Sequence, residues 1–260
     1  MSTHLVTQEE FLAIRHSALN GNSYDVGKLV DNELKLEKYT NGRTVVPCFE
    51  GDLIQIRETG EVVLTHQNFF QLSKNRYRDL KDRKLAVSLN EVLDKFSIYK
   101  QKNKDQKVVL CFEPKAITEK STIDETVRLL KLYGIENAYF DSFFGRKLDL
   151  VDNANQKYGT NYARSLHLIG NVGREKIMMT RSKKICDIVT LPYTLSVGEI
   201  NEPIIYGAVG STDILGKISE SPNVQGAYVR LKEGAGVKGA LVKLWNSVTN
   251  TEQLRQTHTS

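Results

Sequence analysis

A closed (β/α)8 TIM barrel is the fold class this sequence predicts, on three observations. Eight short apolar runs recur along the 260 residues, most of them separated by stretches with helical spacing. A mass of 29.4 kDa is ordinary for one such domain. Titratable side chains gather where the first three runs end, and a barrel carries its active site at the C-terminal ends of its strands. A β-hairpin excursion follows the second strand. The same alternation also permits an open doubly wound sheet, which is the alternative fold.

The elements read in order as follows. Thr7-Gln8-Glu9-Glu10 has the pattern of a capping box and predicts a short first helix. LAIRH (12–16) is the first strand, and SALNGNS after it is rich in turn formers. Tyr24–Tyr39 places Val26, Leu29, Val30, Leu34 and Leu36 at roughly helical spacing. The second strand opens VVPCFEGDLIQIRETGEVVLTH (45–66), with an apolar run from Val45 to Phe49. Glu50 and Asp52 follow at i and i+2, so on a strand both carboxylates point to one face. Gly60 in RETGE turns the chain, and Val62–Leu64 runs back to end in His66. The hairpin thus returns an imidazole towards the paired carboxylates.

Ser88-Leu89-Asn90-Glu91 is a second capping box, opening a helix through about Tyr99. KVVLCFEPK (107–115) is the third strand, closed by Pro114. Ser121–Tyr133 is a helix stopped at Gly134. Strands four to eight are AYFDSFF (138–144), SLHLIG (165–170), CDIVTLP (186–192), PIIYGAV (203–209) and GAYVRL (226–231). Helices are expected at Arg146–Tyr158, Thr212–Ser219 and Val237–Val248. Residues 1–260 read as a single domain with a polar tail at 249–260, without linker or repeat motif.

Composition narrows the function classes. Hydrophobic content of 40% and charged content of 26% are globular values. A mean hydropathy of −0.36 and the lack of a long apolar run exclude a transmembrane segment. MSTHLVTQEEF lacks the basic and apolar regions of a secretory signal. Cys48, Cys111 and Cys186 each sit in an apolar run and read as small buried hydrophobes, so the cytoplasm is the natural compartment. The net charge of +5 mildly favours anionic partners. The basic run KNRYRDLKDRK (74–84) is broken by Asp79 and Asp82 and reads as a solvated face, not a nucleic-acid patch.

The candidate site assembles from strand ends. His16 ends strand one, Glu50 and Asp52 end strand two, and Glu113 ends strand three with Lys115 two residues on. His66 lies on the excursion between the second and third. Three carboxylates without cysteine make a hard, oxygen-rich set that suits a divalent cation, Mg²⁺ or Ca²⁺. Lys115 adds a positive charge beside them, and two imidazoles can serve as base and acid. Singly, any of these is a plausible solvated strand-end residue. Asp141 and Ser142 end strand four and are candidates to line the mouth. His167 reads as a core or lining histidine, and Trp245 as packing beside Leu241 and Leu244. GAGVKG (234–239) reads as a plain loop, because neither the P-loop nor the dinucleotide pattern is met.

In this order and spacing the residues resemble the glycerophosphodiester phosphodiesterase family. That family has a His near the end of the first strand, Glu-x-Asp on the second, a returning strand ending in His, and Glu-x-Lys on the third. Here those positions read RHSALNGNSYD, FEGDLIQIRETGEVVLTH and LCFEPK. DSFF (141–144) is similar to the family's fourth-strand Ser-Phe, and IIYGAV with NVQGAYV to its last two strands. The resemblance covers most of residues 12–231, with its specific motifs ending at Lys115.

It implies a phosphodiesterase acting on a small-molecule or lipid-derived phosphodiester, with glycerophosphodiesters as the type. Glu50, Asp52 and Glu113 would hold the metal, Lys115 the phosphate, and His16 and His66 would be the acid–base pair. There are two departures. The family's His-Arg is His16-Ser17 here, and its His-Asp is His66-Gln67. Loss of the arginine removes a bidentate phosphate clamp. The sphingomyelinase D-like phospholipase D branch also lacks it and releases a cyclic phosphate. A cyclising enzyme and a catalytically degenerate binding barrel are therefore the two alternatives.

Overall fold

The computed structural model describes residues 5–21, 25–66, 72–115, 118–168, 185–192, 203–209 and 212–229. β1 (Glu10–Arg15) pairs in parallel with β2 (Thr44–Gln55). An antiparallel excursion of β3 (Val62–Leu64) and β4 (Val87–Ser88) hangs on the far end of β2. The parallel order continues from β2 through β5 (Val109–Pro114), β6 (Ala138–Ser142), β7 (Ala163–His167), β8 (Ile188–Pro192), β9 (Ile204–Val209) and β10 (Val224–Val229). β10 then pairs with β1. Eight parallel strands close on themselves, so the fold is the expected (β/α)8 barrel with its hairpin excursion, and the open sheet is excluded.

Helices alternate with the strands. α1 (Val26–Leu34) joins β1 to β2, capped by Asp25, whose carboxylate accepts from the Lys28 amide at 3.1 Å. α2 (Lys74–Asp82) and α3 (Leu89–Lys102) flank β4. α4 (Lys120–Leu132) leads to β6, α5 (Gly145–Tyr158) to β7 and α6 (Thr212–Ser219) to β10. The expected helix Val237–Val248, Trp245 and the loop 234–239 lie outside the described residues.

Period-two alternation separates two cores. Phe11, Ala13, Val45, Phe49, Leu110 and Phe140 point outward and pack under the helices. Leu12, Ile14, Val46, Cys48, Val109, Cys111, Tyr139, Ala163, Ile188, Ile205 and Tyr228 fill the barrel interior. Both faces of each strand are buried, which is why the strands read as near-continuous apolar runs. A third cluster, including Ile54, Ile56, Val63, Leu72 and Leu80, anchors the excursion. Leu80 is the buried residue of α2, so the basic run there faces solvent.

Gly226 marks the closing seam. It pairs with Leu12, and a Cβ at this position would overlap the Leu12 carbonyl and lie 2.9 Å from Leu12 Cα. Gly226→Ala must therefore push β10 off β1. We expect a loss of about 1–3 kcal/mol or more, the scale of overpacking in a rigid interior. Denaturant unfolding of the purified variant, or its failure to accumulate as soluble protein, reads this directly.

One local expectation fails. Thr7–Glu10 does not start a helix: the chain turns there and β1 begins at Glu10. The reciprocal contact of a capping box still forms, with the Thr7 amide donating to Glu10 Oε2 at 2.9 Å. Ladders with β2 and β10 on both sides then claim Phe11–Ile14, and tertiary pairing overrides the local signal. β7 and β10 also begin two residues earlier than expected, at Ala163 and Val224.

Candidate active site

The inward column of each strand changes character toward its C-terminal end. β1 runs Leu12, Ile14 and then His16 just past its end; β2 runs Val46, Cys48, Glu50, Asp52. β5 runs Val109, Cys111, Glu113, followed by Lys115, and β6 runs Tyr139, Asp141. One mouth of the barrel therefore collects the predicted residues, because a step of two along a strand keeps the face while moving toward the opening.

Three carboxylates lie at its floor. Oxygens of Glu50, Asp52 and Glu113 come within 4.8 Å of one another, and the three residues are 0%, 1% and 5% exposed. Such burial of like charges is tolerable only with compensation. Lys115 Nζ supplies part of it, 2.6 Å from Glu113 Oε1 and 3.1 Å from Asp52 Oδ1. Glu50 Oε1 is a buried oxygen with no hydrogen-bond partner among the described residues. Hard oxygen donors, incomplete charge balance and this orphan fit a divalent cation held by Glu50, Asp52 and Glu113.

Titration directions follow from the same crowding. Burial, and then the neighbouring Asp52 charge, push the Glu50 carboxyl well above the usual carboxylate range. Burial also pushes Asp52 up, but the Glu50 carboxyl, Lys115 and His66 together hold it below its ordinary value. Burial raises Glu113 against the pull of Lys115. Lys115 is raised in turn, since Asp52 and Glu113 outweigh its burial. Of the pair, Glu50 is the one pushed toward its protonated form.

The imidazoles stand above the carboxylates. Their ring centroids are 5.1 Å apart and nearly perpendicular, at 83°. His66 Nδ1 lies 2.8 Å from Asp52 Oδ2, and its side chain is 59% exposed at the mouth. The turn after β1 is sewn to β2: the Ser17 amide donates to Glu50 Oε2, the Leu19 amide to the Glu50 carbonyl at 3.0 Å, and the Asp52 amide to Asn20 Oδ1 at 2.9 Å. Gly51 lets this turn approach, because a Cβ there would fall 2.9 Å from that of Leu19. Arg15 faces α1 and pairs with Glu33 at 3.2 Å, so it does not stand in for the guanidinium absent at Ser17.

The opposite wall holds a second polar group that sequence reasoning underrated. His167 Nε2 lies 2.5 Å from Asp141 Oδ2, an oxygen that also accepts from the Tyr228 hydroxyl. Ser165 and Thr190 hydroxyls, 2.8 Å apart, continue the network. Tyr228 stands between the histidines, 6.3 Å from His16 and 5.5 Å from His167 by ring centroids. His167 is thus a lining histidine, as expected, but one tied to a fully buried aspartate. The signal was present as polar residues two positions after interior hydrophobes (Tyr139 then Asp141, Ile188 then Thr190), and Tyr228 itself reads as an ordinary core aromatic.

No protein-family model matches this sequence, and no curated protein matches it. Solved structures do. The chain is similar to a phosphodiesterase from Oleispira antarctica, solved with the product sn-glycerol-3-phosphate, at a TM-score of 0.54 and 15% identity over 85% of this chain and 92% of that one. It is also similar to a glycerophosphodiester phosphodiesterase from Parabacteroides distasonis, at a TM-score of 0.53 and 13% identity over 94% of this chain and 100% of that one. At these identities the likeness is one of fold, and this barrel is the fold of those phosphodiesterases.

Proposed function

We propose that this chain is a phosphodiesterase that cleaves glycerophosphodiester-type substrates at the barrel mouth. One observation carries the reading: three buried carboxylates, one with an orphaned oxygen, converge beneath two imidazoles. The phosphodiesterases that share the fold support it. Glu50, Asp52 and Glu113 would hold Mg²⁺ or Ca²⁺, which when bound supplies positive charge to a phosphoryl oxygen. Lys115, already between two of those carboxylates, reaches the phosphate from the β5 side and adds a second positive charge as the transition state forms. Of His16 and His66, one takes the proton of the attacking hydroxyl and the other gives one to the departing alcohol. The activity belongs to a single domain spanning residues 1–260. Three buried free thiols fit a reducing compartment such as the cytoplasm, and no helix among the described residues is long and apolar enough to cross a membrane.

Ser17 in place of an arginine favours a second reading, in which a substrate hydroxyl attacks and a cyclic phosphate leaves. Phosphorus NMR of the products from a panel of glycerophosphodiesters and lysolipids, with Mg²⁺ or Ca²⁺ supplied, separates the two. A phosphomonoester resonance is the expected result. A persistent cyclic phosphate would transfer the assignment to the cyclising reaction, and no turnover across the panel would leave a binding barrel.

A further inference from the structure

His167 is an imidazole at the mouth that the proposed chemistry does not use. It ends β7, which stands four strands from β1 in either direction around the closed ring. Its Nε2 lies 2.5 Å from Asp141 Oδ2, and the Tyr228 hydroxyl donates to the same oxygen. Asp141 is fully buried and its Oδ1 has no partner among the described residues. For stability alone, apolar residues of similar volume would serve as well without burying a carboxyl. What the arrangement achieves is a fixed ring: Asp141 holds one edge, and the Phe143 ring lies 4.4 Å away by centroids, tilted by 50°.

The chemistry of a ligand for this ring follows from what is left open. With Nε2 engaged, Nδ1 has no hydrogen-bond partner among the described residues, and the side chain is 17% exposed. A hydroxyl both donates and accepts, so it can bond Nδ1 whichever ring nitrogen carries the hydrogen. An ammonium only donates, and an ionised phosphate oxygen only accepts. Phe143 is 41% exposed, so an apolar ring face lies open beside the imidazole and suits a short carbon skeleton. A hydroxyl on a small carbon chain meets both features. Tyr228 stands between His16 and His167, with ring centroids 6.3 Å and 5.5 Å away, so one aromatic ring separates this place from the acid–base pair.

We propose that His167 and Phe143 form a subsite for the glyceryl group of the phosphodiester, in which His167 Nδ1 hydrogen-bonds a glyceryl hydroxyl and Phe143 covers the carbons. The proposal rests on the phosphodiesterase reading and adds to it which wall of the mouth selects the hydroxylated substituent. His167 is a specificity-determining residue and transfers no proton in the reaction. Asp141 acts through it, as a positioning residue that fixes the imidazole.

Calorimetric titration of the full chain with Mg²⁺ supplied, using glycerol 3-phosphate and n-propyl phosphate, reads this subsite. The two compounds share a phosphate and a carbon chain and differ only in hydroxyls. Wild type should bind glycerol 3-phosphate about tenfold more tightly, the worth of one good hydrogen bond. In nitrogen-15 spectra the His167 ring should shift with glycerol 3-phosphate and hardly at all with propyl phosphate. His167→Phe keeps a ring and removes the nitrogens, so it should bring the two Kd values together. Phe143→Ala, at an exposed position, should weaken both compounds alike and preserve their ratio. A purely structural His167 would alter stability and leave that ratio unchanged. Equal wild-type affinities, or a His167 ring that answers both compounds alike, would overturn the proposal whether or not His167→Phe folds. If that happens while the wild type cleaves glycerophosphodiesters, the phosphodiesterase reading stands without this subsite. If the wild type binds neither compound and cleaves no phosphodiester, both fall.

Discussion

Glu113→Gln should cut turnover to about 1% of wild type or less, with little recovery in excess Mg²⁺. The substitution keeps size and hydrogen-bonding reach but removes one of three charges from the cluster at the floor of the mouth. Charge stabilisation of a phosphoryl oxygen is worth several kcal/mol, and each 1.36 kcal/mol is tenfold in rate, so a loss of ~10² or more is expected. Lys115 loses its 2.6 Å partner yet keeps Asp52 at 3.1 Å, so its charge stays at the mouth.

Thermal unfolding supplies a readout independent of activity. A cation at about 100 times its Kd stabilises the wild type by about 2.7 kcal/mol, and Glu113→Gln should show almost none of that shift. Unchanged turnover, or full wild-type activity in a strong chelator, would remove the metal from the reading.

The pH dependence in chelator has a definite sign. Glu50 is raised above its ordinary value of 4.5 by burial, then by Asp52. A raised folded-state value means that folding favours the protonated form. That contribution is complete below about 4.5 and is lost as pH rises through the elevated folded value. Glu50→Gln removes a group that folding prefers neutral. Its stability relative to wild type should therefore grow with pH across that window, measured by denaturant midpoints with chelator present. A gap that shrinks with rising pH would contradict the assignment.

The second large effect concerns the histidines. His16→Ala and His66→Ala should each lose about 10²–10⁴-fold, the range for one proton transfer. Two residues acting on one phosphate work as a unit, so the double variant should be little worse than the worse single variant. A p-nitrophenyl substrate, whose leaving group needs no proton, should rescue only the variant that lacks the acid, and so assign the two roles. Multiplicative losses, or rescue of both variants alike, would rule out a paired mechanism on a shared substrate.

The sequence by itself determined more here than strand and helix periods usually carry. Buried parallel strands advertise themselves as apolar runs, so all eight were legible, as was the order in which Glu50, Asp52, His66, Glu113 and Lys115 follow them. Alternation also placed Glu50 and Asp52 on one face, because a period of two is a local property of extended backbone. Where local and non-local signals competed, the local one lost. Thr7–Glu10 formed the contact of a capping box and still gave way to two strand ladders.

Tertiary structure alone decided the rest. Closure of β10 onto β1 brings Tyr228, 212 positions after His16, within 6.3 Å of it by ring centroids, and no local pattern encodes that separation. The Asp141–His167 pair joins neighbouring strands whose register is set by the sheet. Ser17 is the sharpest case. In sequence it is an arginine missing from a motif; in space its left-handed backbone puts a hydroxyl between two imidazoles from different elements. Asp52, His66, His16 and Ser17 come together only because three elements converge at one barrel mouth.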